Sequence, residues 1–350
     1  MSATGDEALL NREHLRGKDR VRARIRTENA FHAGNFMENT MKKKATAKII
    51  SHNELQPGIF DLRIETDLAG YAHAGQFVGV CPRDRSKLLP RPISICEVLP
   101  DDSGASGVLR LVYRVTGPDT GTADISGIKP GDTIDIIGIL GNGYDVPELV
   151  SGYTHPVLMG GGIGIPPMLQ LAKELNEGYG FEGKKSQGAI RQTGFPDGDA
   201  GISVILGFRD DNTFLTEDFC RVFGYEADAA SADTEGDCVD HVHMKSRLFI
   251  ATEDGSVGTC GNVLDVMGFG DIPCDLILAC GPLPMLRAIS AYAEEHGIPA
   301  YISLEERMAC GVGACLGCVV GTRETDDHSQ VKNARICTEG PVFLSADIVL

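Results

Sequence analysis

HPVLMGGGIGIPPMLQLAKEL, residues 155–175, divides the chain into two kinds of text. The apolar run from Pro156 to Met159 enters a turn with glycine at 160, 161, 162 and 164. An amphipathic stretch follows, so the segment reads strand, glycine turn, helix. Pro166 and Pro167 suit the first helical turn, where a missing N–H costs little. Glycines at that junction let an anionic ligand approach the backbone at a helix start. The spacing is not G-x-G-x-x-G, and a glycine-rich turn alone does not define a ligand.

Downstream the alternation continues. ISVILGFRD (202–210) and SRLFIATEDG (246–255) are apolar strands, and CDLILACGPLPMLRAISAYAEEHG (274–297) is a strand followed by a helix. Strands alternating with helices predict a parallel sheet with crossover connections. Ligands of such sheets sit at the carboxyl ends of strands. Cys280, Gly281 and Pro282 are therefore candidates to border a nicotinamide, alongside Gly160, Gly161, Gly162 and Gly164. A small buried thiol is the competing reading of Cys280. Two polar or glycine-rich stretches, near 178–200 and 223–246, read as surface insertions.

Upstream the text is β-like. FDLRIET (60–66), GQFVGVC (75–81), RPISICEV (91–98), LRLVYRV (109–115) and DTIDIIGIL (132–140) are short runs between Gly, Pro and Asp turns. That pattern predicts an antiparallel barrel or sandwich. Within it, Arg91-Pro92-Ile93-Ser94 opens a strand; an arginine fork there can pair with a pyrophosphate and a nearby serine can reach a ring edge. Gly121 and Thr122, ahead of a short helical run, offer free amides to an anion. An ordinary strand and a loop that merely turns are the bland alternatives. Together the two sites describe a dinucleotide held across a barrel mouth.

At the end of the chain stands CGVGACLGC (310–318), with Cys337 beyond it. Cys310, Cys315, Cys318 and Cys337 make C-x4-C-x2-C plus a distant fourth, the plant-type [2Fe-2S] spacing. Gly311, Gly313 and Gly317 let the backbone curl so that amides face the sulfurs. Structural zinc, which more often shows two C-x2-C knuckles, and four inert buried thiols are the alternatives.

With these motifs in this order, residues 45–350 resemble the ferredoxin–NADP reductase-like family. The segment SLEERMACGVGACLGCVV (303–320) with ICTEGPVF (336–343) is most similar to the electron-transfer subunits of type B dihydroorotate dehydrogenases. The resemblance implies a six-stranded antiparallel FAD-binding barrel (45–150), a parallel-sheet NAD-binding α/β domain (151–300) and a small C-terminal [2Fe-2S] module (301–350). It implies FAD contacts from Arg91, Pro92, Ile93, Ser94, Val112, Tyr113, Arg114, Gly121 and Thr122. Cluster ligation falls to Cys310, Cys315, Cys318 and Cys337. The implied partner is a catalytic, FMN-containing dihydroorotate dehydrogenase subunit, as a heterotetramer of two each. Related reductase subunits serving hydrogenases, transhydrogenases or glutamate synthases are the runner-up, and a module that has lost its cofactors is a third reading.

Hydride transfer between rings depends on stacking and position, so no side chain is assigned as a catalytic acid, base or nucleophile. Arg209, after the second α/β strand, is placed to greet a 2′-phosphate, but Asp210 and Asp211 beside it would repel one; NAD is expected.

The chain has 350 residues, 42% apolar, with 43 glycines and a net charge of −17. That length supports more than one core, and the charge argues against a nucleic-acid partner. No apolar run reaches membrane-helix length and no signal core opens the chain, so a cytoplasmic protein is expected. Eleven cysteines in a chain this long suggest metal ligation plus buried thiols, not a secreted scaffold. Residues 1–44 read as a basic, solvated extension, with a possible helix at 8–26 and Met41 as an alternative start.

Overall fold

The computed structural model describes residues 43–101, 106–180, 201–224, 247–269, 272–326 and 330–350. Most of the expected N-terminal extension and the interiors of both expected insertions lie outside these residues.

The β-like text closes into a six-stranded antiparallel barrel. Its strands are β1 (Lys43–Gln56), β2 (Ile59–Thr66), β3 (Phe77–Val80), β4 (Arg91–Pro100), β5 (Gly107–Arg114) and β6 (Thr133–Leu140). They are ordered β1-β2-β5-β4-β3-β6, with β6 returning to β1. Closure removes sheet edges. The interior holds Ile49, Leu62, Ile64, Ile95, Leu109, Leu111 and Ile136, each no more than 1% exposed. Each such burial is worth about 1.5–3 kcal/mol. A short helix, α1 (Gly121–Ser126), follows β5 and is capped by Thr120, whose side chain accepts from the amide of Ala123.

A second helix, α2 (Val146–Gly152), leads out of the barrel, so the sequence-based boundary at 150 falls inside a helix. Beyond it lie β7 (Pro156–Gly161), α3 (Ile165–Gly178), β8 (Ser203–Phe208), α4 (Thr216–Phe223) and β9 (Arg247–Thr252). The chain continues through β10 (Thr259–Cys260), α5 (Val263–Phe269), β11 (Leu276–Cys280), α6 (Leu283–His296) and β12 (Ala300–Ser303). The strands β10-β9-β8-β7-β11-β12 are parallel, covered by helices as a sheet buried on both faces requires.

The last part of the chain contains β13 (Val319–Thr322), β14 (Asn333–Arg335), β15 (Val342–Leu344) and β16 (Ile348–Val349). The order β14-β13-β16 makes a small sheet of its own, while β15 adds antiparallel to β12 on the large sheet. The boundary read at 301 therefore lies within a strand of the α/β sheet. That sheet keeps the chain to Ser303 and takes it back at Val342. A four-residue strand, AYIS, carries too little period to be told from a linker.

One apolar cluster joins barrel to α/β layer: Ile59, Cys96 and Val112 pack with Ile165, Met168, Leu169 and Phe219. Strand β5 shows how. Leu109, Leu111 and Tyr113 point into the barrel, while Val112 faces the α/β layer, the alternation that a pleated strand imposes.

Candidate functional site

Three constellations lie along the contact between barrel, sheet and C-terminal module. The first joins β4 to α1. Arg91 donates from Nη1 to the Leu89 carbonyl at 2.7 Å. Its guanidinium lies flat against Gly121: a Cβ there would sit 2.3 Å from Arg91 Nε. The two segments that the sequence could only list side by side are thus one cradle, with a cationic fork over a glycine at a helix start. Thr122 is buried, and its hydroxyl accepts from the Thr116 amide at 3.2 Å and pairs with Thr120 at 2.9 Å. Ile93 is buried inside the barrel, and Pro92 and Ser94 are half-buried on the strand.

On β5 the expected trio splits. Val112 and the exposed Arg114 stand on the α/β side, whereas Tyr113 is buried inside the barrel. There its hydroxyl pairs with His52 Nε2 at 3.0 Å and its ring stacks on Phe60. Burial raises the Tyr113 hydroxyl above its ordinary range, keeping it a neutral hydrogen-bonding group.

The second constellation is the carboxyl end of the parallel sheet. β7 and β11 run side by side with Cys280 opposite Gly160. Gly164 approaches so closely that a Cβ would lie 2.4 Å from the Cys280 carbonyl, and one on Gly161 would lie 2.4 Å from Met285 Sδ. Gly162 takes φ +53°, and the Arg114 guanidinium reaches within 3.7 Å of where its Cβ would be. Gly281 also packs on Met285, and Pro282 opens α6. Burial, with the nearby charge of Glu305, pushes the Cys280 thiol up to about 12, so it presents a neutral S–H.

Tyr144, which sequence reading missed, stands behind this end. It is buried, its hydroxyl has no hydrogen-bond partner, and its ring packs on Gly75. A lone tyrosine after a strand carried no signal of that role.

The third constellation is the thiol loop. Gly311 (φ +66°) and Gly313 (φ +85°) adopt the left-handed backbone that glycine tolerates, and Leu316 takes φ 55°. The turn aims amides at sulfur: Val312 N–H donates to Cys310 Sγ at 3.5 Å. For Cys310, burial acts to raise the thiol. The amides of Val312, Ala314 and Cys315 and the Cys315 side chain outweigh it and bring the value to about 6. Cys337 moves the other way, to about 12, through burial and the adjacent Cys318. The Ile336 amide donates to the Cys318 carbonyl, and β13 pairs with β14, fastening the distant cysteine to the loop. Arg335 braces the arrangement, donating to Glu339 at 2.9 Å and to the Gly313 carbonyl at 3.3 Å.

Cys310 stands with Cys315, and Cys318 with Cys337. Among the described residues, no three Cys, His, Asp or Glu side chains converge as a mononuclear site requires. The C-x4-C-x2-C spacing with its distant fourth cysteine, and the amides donating toward Cys310, make a donor set that fits a two-iron cluster. The Arg91 guanidinium against Gly121, at the start of α1, likewise sets a cationic fork beside helix-start amides, a donor set that fits a pyrophosphate.

An apolar crevice brings the first and third constellations together, lined by Phe77, Pro90, Pro92, Met308, Cys310 and Gly311. No helix among the described residues is long and apolar enough to cross a membrane.

A closed six-stranded barrel followed by a parallel sheet, with sites at their shared edge, defines a ferredoxin reductase-like flavoprotein fold. A solved structure of an NADH-dependent reduced ferredoxin-NADP oxidoreductase, studied for flavin-based electron bifurcation, superposes with a TM-score of 0.63. It is 25% identical and covers 88% of this chain and 91% of that one. Residues 305–349 match the family model of the iron-sulfur cluster binding domain of dihydroorotate dehydrogenase B. The NAD(+)-type dihydroorotate dehydrogenase B electron transfer subunit of Streptococcus pneumoniae is 33% identical over 89% of this chain and all of its own length. The subunit of the same name from Bacillus pumilus is 34% identical over 88% of this chain and 99% of its own. The chain belongs to the family of dihydroorotate dehydrogenase B electron transfer subunits.

Proposed function

We propose that this chain passes electrons between NAD and a partner, FMN-containing dihydroorotate dehydrogenase type B subunit, in pyrimidine biosynthesis. The observation that carries the reading is the shared crevice, where Pro92 of the Arg91–Ser94 segment meets Cys310 and Gly311 of the thiol loop. A flavin exchanges hydride with nicotinamide and single electrons with a [2Fe-2S] centre, so its place is between them.

Each group has its residues. Arg91, Pro92, Ile93, Ser94, Val112, Tyr113, Arg114, Gly121 and Thr122 would hold FAD, Arg91 and the α1 amides meeting its pyrophosphate. Tyr113 would serve from within the barrel, through its backbone and its bond to His52. NAD would enter over Gly160, Gly161, Gly162 and Gly164, with Cys280, Gly281 and Pro282 bordering its ring. The neutral Cys280 thiol excludes water without adding charge there. The exposed Asp210 and Asp211 disfavour a 2′-phosphate, which supports NAD. Cys310, Cys315, Cys318 and Cys337 would hold the cluster, their charge offset by the loop amides. No residue here needs to carry a proton for the reaction.

Cys315 is exposed, and Leu316 (62% exposed) and Val312 (36%) flank it. An apolar rim around the outermost thiol suits hand-over to another protein. The partner is the catalytic subunit, two of each chain forming a heterotetramer in the cytoplasm. The domain order behind this reading is barrel, α/β domain and cluster module, with the first passage at α2 and the cluster module leaving the α/β sheet after Ser303.

The test is anaerobic co-purification with that subunit, followed by absorption, EPR and NAD-linked dihydroorotate oxidation. A flavin- and iron-loaded pair that turns over no dihydroorotate would refute the pathway. Zinc in place of iron and sulfide would refute the electron path itself.

A further inference from the structure

We propose that Arg110, gripped between Asp61 and Asp218, is a positioning residue that holds the nicotinamide loop at the right angle to the barrel. The proposal rests on the functional reading above and names what regulates its geometry.

Arg110 lies on the outward face of β5 and is 4% exposed. Its Nη2 meets Asp61 Oδ2 of β2 at 2.9 Å, and its Nε donates to the same carboxylate at 3.0 Å. Nη1 donates to Asp218 Oδ1 at 2.7 Å and reaches Glu97 of β4 at 3.4 Å. Asp61, Glu97 and Arg110 all belong to the barrel. Asp218 belongs to α4, in the other layer. One guanidinium therefore spans the two units.

A second row of bonds runs beside it along α3. Gln170 accepts from the Val98 amide at 2.8 Å, Lys173 donates to the Val98 carbonyl at 3.3 Å, and Glu174 accepts from the Ala74 amide at 2.9 Å. Helix α3 begins at Gly164, where the glycine loop ends. Further along β5, Arg114 reaches the same loop at Gly162. Arg110 and Arg114 are four residues apart, about 13 Å at ~3.3 Å per residue. The strand thus makes a charged contact with the α/β layer near each end, one at the loop and one far from it, with Val112 packed between them; two separated directional contacts fix an angle.

Apolar packing between the layers is non-directional and tolerates sliding. A fork bonded to carboxylates from both sides does not. Apolar groups of similar volume would serve stability alone as well or better, so the buried fork is better explained by orientation. Hydride transfer is steeply sensitive to misplacement: about 1 Å can cost on the order of a hundredfold.

The test uses the full-length, flavin-loaded protein with Asp218→Asn, which loosens the α4 side and leaves Arg110 on Asp61. Rapid-mixing reduction by NADH should slow about tenfold or more, with the NADH dissociation constant within about twofold of wild type. Flavin content should hold, amide exchange in α4 and in 160–164 should rise, and Asp218→Glu should recover most of the rate. Faster exchange with an unchanged reduction rate would overturn the proposal, because the pair would then be only structural. Loss of flavin in parallel with rate would also overturn it, by placing the defect in the barrel. Wild-type protein that NADH fails to reduce would overturn the functional reading, and the proposal with it.

Discussion

Gly121→Ala tests the flavin cradle with a single methyl group. The added Cβ would lie 2.3 Å from Arg91 Nε and 2.6 Å from its Cζ and Nη2. Ordinary contact between such atoms is ~3.5 Å, so the guanidinium must retreat by ~1.2 Å. That retreat would also strain or break the 2.7 Å bond from Nη1 to the Leu89 carbonyl, which sets the fork's present position. Binding constellations need placement within about 0.5 Å, so the fork would lose its pyrophosphate bonds. Charge-assisted bonds contribute about 1.5–3 kcal/mol, which predicts FAD binding weaker by about 10- to 150-fold. The assay is titration of apoprotein with FAD, followed by flavin fluorescence, beside thermal unfolding of the same apoprotein. Alanine is a better helix former than glycine, so the unfolding midpoint should hold or rise. Arg91→Ala should weaken binding similarly, and the double variant should be no worse than either alone. Unchanged FAD affinity in a stably folded Gly121→Ala protein would refute the cradle.

Gly164→Ala would press a Cβ to 2.4 Å from the Cys280 carbonyl, against backbone that cannot turn away. Loss of about 1–3 kcal/mol of stability and of NADH binding, with FAD retained, is expected from unfolding and titration. Cys318→Ser should abolish the iron–sulfur absorption and EPR signals while reduction of FAD by NADH persists; simultaneous loss of both would contradict separate sites. Burial raises the Glu174 carboxyl above its ordinary value, against the Gln170 and Ala74 bonds that lower it. A raised folded value means that protonation favours the fold, so this stabilisation is full below pH ~4.5 and lost as pH rises through the folded value. Glu174→Gln should therefore unfold at a higher temperature than wild type at neutral pH, with the gap closing in acid. A gap that widens as pH falls would contradict that sign.

Where a segment's chemistry was local, the sequence spoke clearly. The short apolar runs at 60–66, 75–81, 91–98, 109–115 and 132–140 each hold a barrel strand, because alternation and turn residues are written within a few positions. The 155–175 stretch became β7 and α3 with its prolines in the first helical turn. The thiol spacing pointed to a two-iron donor set, and the loop supplies its amides from the same residues. What escaped notice depends on distant partners. Arg110 looks like any arginine in a strand until Asp218 arrives from α4, 108 positions away. Tyr144 shows its buried hydroxyl only once Gly75 and the sheet enclose it. The opposed directions of Val112 and Tyr113 follow from barrel closure, which fixes the inner face; a short apolar run does not reveal which side that is.

The return of β15 to β12 makes residues 304–341 an excursion sewn at both ends into one sheet. Cutting the chain after Ser303 would not shed a detachable bead. It would strip the hem from the α/β sheet and bare β12, whose unpaired edge invites foreign strands. The iron-bearing segment and the scaffold for nicotinamide therefore share a seam: a truncated variant should precipitate before it could serve as a simpler, cluster-free reductase.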